Sequence, residues 1–271
     1  MSDPGVEPRT MTKMSRIARV PVVWTTAAIA LVIAAPARAA EPRVAALLQA
    51  ADRYRAGSEA MQVETLVSTL AADGSVEKER RYTVLLSPGA SAVQRSLVLM
   101  RSPAEAGQKV LMLGDDFWLL LPGSSRPLRI TPTQKLLGEA STGDIATLAW
   151  SQDYEGQLRG AARCDGDRAC WHLSLQARRA GLSYTRIELW LGQAHGEPLH
   201  AELYVGSGKL AKTARFVLDR QSAPTRVDEM WLGDQLTAKK QTRIRYLSRQ
   251  RRSVPEVWLN PMFLARNPSL E

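Results

Sequence analysis

The side chains best suited to chemistry are three histidines, two cysteines and a few acidic neighbours, and their spacing matches no catalytic or metal motif. His172, His195 and His200 lie in or beside strand-like segments. His195 and His200 stand five apart across Gly196-Glu197-Pro198, a separation that fits no metal-ligand pattern. Gly206-Ser207-Gly208 lacks the G-x-S-x-G frame that exposes a serine nucleophile. Asp115 and Asp116 sit in a turn, and Asp228 and Glu229 are adjacent on a strand and so point to opposite faces. No enzyme and no cofactor or metal is expected.

Cys164 and Cys170 bracket the turn-forming Asp165-Gly166-Asp167-Arg168-Ala169. A hairpin there brings the two thiols across from one another, and an oxidising compartment would join them. Free thiols remain open; a metal site would need more ligands than His172 adds.

Residues 1–39 read as a cleavable signal peptide. Lys13, Arg16 and Arg19 form a basic start, Val22 to Ala35 an apolar stretch, and Ala37-Arg38-Ala39 the small-residue cleavage frame before Ala40. Met11 and Met14 offer later start points. The apolar stretch is shorter than the roughly 20 residues of a membrane span. Export to the periplasm follows, with residues 40–271 as one domain. The chain carries +9, and losing five cationic and two acidic residues with the leader leaves +6. The one dense basic cluster, Arg249-Gln250-Arg251-Arg252, has no interleaved aromatics, and with the export signal it excludes nucleic acid as a partner.

Pro42 to Gly57 has the spacing of a helix, with Val44, Leu47, Leu48 and Ala51 on one face and Gly57 as a stop. From Met61 the texture changes to short strands, ten or eleven of them: 61–70, 78–86, 96–101, 109–113, 117–121, 170–177, 184–191, 198–205, 210–218, 227–232 and 238–247. They form an antiparallel meander curled into an open or closed barrel. A second helical piece is expected within Thr133–Trp150, and a proline-punctuated irregular tail after Val254. The later strands alternate as a half-wet sheet should. The earlier ones do not: Val98 and Met100 share a strand with Leu97 and Leu99, and Val110 and Met112 with Leu111 and Leu113. A second cover is needed there, either helices or an apolar ligand.

The long stretch Asp116–Tyr154 starts as the strand Phe117–Leu121, stops at Pro122-Gly123, and continues as a connection longer than compact domains usually allow. Its residues carry a family likeness. Ser102-Pro103, Asp115-Asp116, Trp118, Leu120, Leu121-Pro122 and Arg129-Ile130, followed by Leu136-Leu137-Gly138, Gly143-Asp144-Ile145-Ala146 and Asp153-Tyr154, resemble the outer membrane lipoprotein-sorting proteins of the LolA-like family. Ile187–Leu191, Pro198-Leu199, Gly208-Lys209-Leu210 and Pro224-Thr225 echo its second half. The chain departs from the family in the short Ala149–Tyr154 segment. The resemblance implies a mainly β, unclosed antiparallel barrel with a helix-and-loop lid, and a periplasmic carrier or chaperone that holds acyl chains of lipoproteins or lipids for transfer towards the outer membrane. Under that reading Trp118, Leu120, Leu97, Leu99, Val84, Val110 and Met112 line the cavity. Arg129, Gly143, Asp144 and Tyr154 belong to the loop that closes it. The protein would act as a monomer, with an inner-membrane exporter as a further partner. Two other classes fit the same residues: an accessory subunit of an RND-type lipid exporter, and a domain that senses lipid or lipoprotein.

Overall fold

The computed structural model describes residues 43–55, 59–88, 94–146, 149–233, 241–266 and 268–270; the leader, Pro42 and Gly57 lie outside them. Helix α1 (Val44–Arg55) precedes a first meander of β1 (Met61–Leu70), β2 (Val76–Pro88), β3 (Gln94–Met100), β4 (Lys109–Leu113), β5 (Asp116–Leu120) and β6 (Leu128–Ile130). A small hairpin, β7 (Lys135–Leu137) and β8 (Ala140–Ser141), leads into α2 (Thr142–Ala146) and α3 (Trp150–Asp153). The second meander is β9 (Tyr154–Cys164), β10 (Arg168–Ala177), β11 (Arg186–Gly192), β12 (Pro198–Tyr204), β13 (Leu210–Leu218), β14 (Val227–Gly233) and β15 (Gln241–Arg251). A short 3-10 turn (Glu256–Leu259) and α4 (Pro261–Leu264) end the chain.

The two meanders join in the middle. β15 returns to pair with β1 from Met61–Arg251 to Leu70–Gln241, so thirteen antiparallel strands run in the order β6-β5-β4-β3-β2-β1-β15-β14-β13-β12-β11-β10-β9. The sheet is not closed, and β6 and β9 are its edges. Four described strands exceed the sequence reading: β6, β7, β8 and β9. The first three are two or three residues long. The fourth, YEGQLRGAARC, has exposed and half-exposed residues alternating along an edge, so it lacks the apolar signal on which strand prediction relies. Cys164 and Cys170 close the β9–β10 hairpin as a disulfide.

One continuous core ties the arms of the sheet together. Met112 and Phe117 from the first meander belong to the same buried cluster as Leu173, Leu189 and Phe216 from the second, so the sheet curls around it. The face towards this cluster is the inner face. Val84, Val98 and Val110 stand in register on it, and α1 packs there through Leu47, Leu48 and Ala51. The outer face of β2–β5 is a second core: Leu85, Leu97, Leu99, Leu111 and Leu120 lie under Val254, Leu259 and Leu264 of the C-terminal segment. The apolar character of both faces therefore has a structural cause within the chain, since the tail covers one and helices cover the other. Asn260 starts α4 by accepting from the Met262 and Phe263 amides at 2.9 and 3.3 Å, a side-chain cap that fixes where the tail turns.

The outer face of the second arm is wet, and its aromatics are screened by neighbours. His172, Trp190, His200, Arg215, Trp231 and Arg243 form one cross-strand row. His172 stacks on Trp190 with centroids 4.5 Å apart, and Arg215 and Arg243 flank Trp231 at 5.5 and 5.4 Å. Cation–π and cross-strand contacts of this kind explain half-buried tryptophans on a wet face without a ligand. His172 also pairs with Glu188 at 2.9 Å.

If the tail is a docked cover, Leu264→Ala, at a site 1 % exposed, lowers the unfolding free energy in urea by about 2–4 kcal/mol. Met262→Ala, at 62 % exposure, changes it by less than about 0.5 kcal/mol. Equal effects would show that the tail is not seated on the sheet.

Candidate functional site

Two polar fastenings hold the cover of the inner face. The first is made by α1. Its apolar stripe faces the sheet, and at Gly156 a Cβ would come within 2.5 Å of Val44 Cγ1, so only glycine lets β9 lie this close under the helix. On the neighbouring side Asp52 accepts from the Trp150 and Ser151 amides at 2.9 and 2.8 Å. Those are the free N–H groups of α3, whose own N-cap residue, Ala149, has no side-chain oxygen to offer them. Arg55 completes the join, its guanidinium 3.8 Å from the centre of the Trp150 ring, and Trp150 meets Phe216 edge-on at 5.8 Å.

The second fastening holds the segment 131–146. The Thr142 and Gly143 amides donate to the carbonyls of Gln134 and Pro132 at 2.9 and 2.8 Å, folding the segment into a compact clip. Its hairpin tip rests on the sheet at Gly138, which has φ +55° and where a Cβ would lie 2.4 Å from Thr242 Oγ1. Both facts demand glycine. The Glu139 amide donates to that same hydroxyl at 2.8 Å.

At the centre of the clip is a buried ion pair. Asp144 accepts from the Ser141 amide and hydroxyl at 2.9 and 2.7 Å, from the Tyr184 hydroxyl at 2.8 Å, and from Lys212 Nζ at 2.9 Å. The two charged side chains are 5 % and 7 % exposed. Lys212 also donates to the Glu139 carbonyl at 2.5 Å. Burial pushes the Asp144 carboxyl up, but the Lys212 charge and the hydrogen bonds from Lys212 and Ser141 outweigh it and hold the group below the usual carboxylate range. Burial first, and then the Asp144 charge, push the Tyr184 phenol well above its usual value, so it stays a donor. Tyr154 stands behind, its hydroxyl donating to the Tyr184 carbonyl at 3.0 Å.

A third tie bridges the arms of the sheet. Arg179 Nε bonds both Asp115 oxygens at 2.6 Å, and its Nη2 bonds Asp153 at 2.7 Å. This links the β4–β5 turn to the end of α3. Burial raises the Asp153 carboxyl, and Arg179 opposes that rise.

Among the described residues, the space between the cover and the second meander is small. The cavity between α1, the clip and the second meander is about 30 Å³, lined by Arg55, Asp144, Trp150, Tyr154, Tyr184 and Phe216 among others. That holds about one water, against several hundred Å³ for a typical ligand pocket. A guest of any length would have to replace part of the cover.

The residues expected at the site divide between the two faces. Val84, Val110 and Met112 are in the inner cluster beneath the cover. Leu97, Leu99 and Leu120 are on the outer face under the tail, with Trp118 packed beside them. Gly143, Asp144 and Tyr154 do meet, in and behind the clip. Arg129 does not join them: it lies on β6, ion-paired with Asp116 and 4.6 Å over the Trp118 ring, 63 % exposed. Lys212, Tyr184, Asp52 and Arg179 were not singled out in the sequence. Lys212 had a readable signal, because it shares inward parity with Ala214 and Phe216 on β13. Among the described residues no group of three or more His, Cys, Asp or Glu is placed to hold a metal.

A family model described as an uncharacterized protein matches residues 92–266. No curated protein matches the chain. Among solved structures, a LolA superfamily protein from Nitrosomonas europaea is 28 % identical with a TM-score of 0.70, covering 79 % of this chain and 96 % of that one. A domain assigned as an outer membrane lipoprotein-sorting protein from Vibrio parahaemolyticus is 19 % identical at TM-score 0.66, covering 82 % of this chain and 98 % of the domain. A DUF1329 family protein from Desulfovibrio piger is 21 % identical at TM-score 0.64, covering 80 % and 95 %. The last two share the fold.

Removing one partner of the buried pair leaves the other charge uncompensated. Asp144→Asn should cost about 3–5 kcal/mol in denaturant unfolding, and adding Lys212→Met should recover most of it. The folded carboxyl is depressed, so its stabilisation is complete above the unfolded value of about 4 and is lost as pH falls through the lower folded value. Unfolding between pH 3 and pH 6, compared in wild type and Asp144→Asn, checks this: the acid-side slope should be smaller in the variant.

Proposed function

We propose a function for a chain that belongs to the family matched over residues 92–266 and has the LolA-like fold: it is a periplasmic carrier that holds acyl chains of lipoproteins or lipids against the inner face and passes them towards the outer membrane. The observation that carries the reading is the way the inner face is covered. A continuous apolar core lies beneath α1 and the clip, and the cover is set by polar contacts, Asp52 joining α1 to α3 and Lys212 holding the clip through Asp144. Apolar surface is interchangeable, so an acyl chain can stand in for the side chains of a displaced cover. Each buried methylene contributes about 0.8 kcal/mol, so ten of them offset roughly 8 kcal/mol of cover. Binding and release then follow from lid position, with no covalent step.

The disulfide supports residence in an oxidising compartment, and the signal-like leader agrees with it. The likeness to a LolA superfamily protein supports the carrier reading.

Protein purified from the periplasm should carry acyl species in native mass spectrometry and bind a fluorescent fatty-acid probe saturably, with a melting temperature that rises with ligand concentration. Absence of bound acyl species together with absence of probe binding contradicts the carrier reading.

A further inference from the structure

The Asp144–Lys212 pair is a wall between two spaces. On its inner side is the 30 Å³ cavity, to which Asp144 and Tyr184 contribute. On its outer side is a separate pocket of about 250 Å³, lined by Thr133, Lys135, Ser141, Tyr184, Val205 and Lys212 with Glu139 and Ala211. Tyr184 faces both. The outer pocket combines two ammonium groups and the hydroxyl side chains Thr133, Ser141 and Tyr184 with the apolar Val205 and Ala211. Its one carboxylate, Glu139, is held by Lys135 at 2.9 and 3.1 Å.

Lys212 is the informative member. Its ammonium is buried on the sheet, which stays in place, while the anion that neutralises it belongs to the clip, which must move to admit a guest. Lifting the clip would break the charge-assisted bonds that Lys212 makes to Asp144 and to the Glu139 carbonyl and leave its charge without an anion. A guest that carries its own anion removes that cost, and a neutral guest does not. A ligand shifts such an equilibrium only by its differential affinity for the two states.

We propose that the pocket between the clip and the β12–β13 hairpin is a headgroup site for acyl amphiphiles with an acidic head, a carboxylate or a phosphate. Lys212, on the sheet, receives the anion, and the acyl chain passes Tyr184 into the space beneath the clip. Asp144 is the resident substitute for that head in the empty protein, and exchange of one anion for the other is the step that frees the clip. This rests on the carrier reading and adds the chemical class of its cargo.

A chain-matched series separates the two claims. Displacement of a fluorescent fatty-acid probe from the full chain is measured at neutral pH with dodecanoate, dodecyl phosphate and dodecanol. An acidic head should compete about tenfold or more better than the alcohol, the scale of a hydrogen bond to a charged group. Stronger competition by phosphate or by carboxylate identifies the source of the anion, and either supports the site. Lys212→Met should erase the difference between the acids and the alcohol, whatever it does to the affinity common to all three, and the Asp144→Asn/Lys212→Met pair should show the same loss on a better-compensated fold. Equal competition by all three on wild type overturns the headgroup site and leaves the carrier reading standing. No displacement by any of them, with no direct binding, overturns the carrier reading as well.

Discussion

A single carboxylate, that of Asp144, holds the movable and the fixed parts of the inner site together. It receives four hydrogen bonds, from the clip itself, from Tyr184 and from Lys212. The clip contributes few buried apolar side chains of its own, Leu137, Ala140 and Ile145 being the chief ones, so its position depends strongly on this pair. Buried ion pairs add little net stability compared with apolar packing, but they set geometry sharply, because a misplaced partner is expensive. A cover fixed in this way is either seated or released, with little in between.

The need for a cover comes from the sheet. Thirteen strands that do not close leave two faces and two edges to protect. The inner face is covered by α1, α2 and α3 and the outer face of β2–β5 by the C-terminal tail. The edges are blunted differently. β6 has three residues, and β9 places charged and half-exposed residues along its length, features that discourage a second sheet from adding. The Arg179 tie from Asp115 to Asp153 joins the first meander to the helical cover.

Much of this was legible in the residues. Helix α1, the alternating strands of the second meander and the hairpin disulfide follow from period, turn residues and cysteine spacing. Face assignment in the first meander did not follow. Leu97, Leu111 and Trp118 stand in one row and Val98, Val110 and Leu119 in the other, and with both rows apolar no period-two pattern tells inside from outside. The deciding fact is that Val254, Leu259 and Leu264 return to one of them from over a hundred residues away. Arg129 was misread as a lid residue for a related reason, since a strand-end arginine near a loop looks alike whether it pairs with the loop or with Asp116 on the adjacent strand. Asp144 was legible through the family resemblance of Gly143-Asp144-Ile145-Ala146, but its partner Lys212 could be found only by noticing a cation on the apolar parity of β13.

The central claim is that the covered inner face opens for acyl guests. Hydrogen–deuterium exchange with and without a bound acyl amphiphile reads this directly. On binding, amides of 131–146 and 150–153 should lose protection while β1 and β15 at the centre of the sheet keep theirs. A guest that binds tightly and leaves the protection of α1, the clip and α3 unchanged would contradict it.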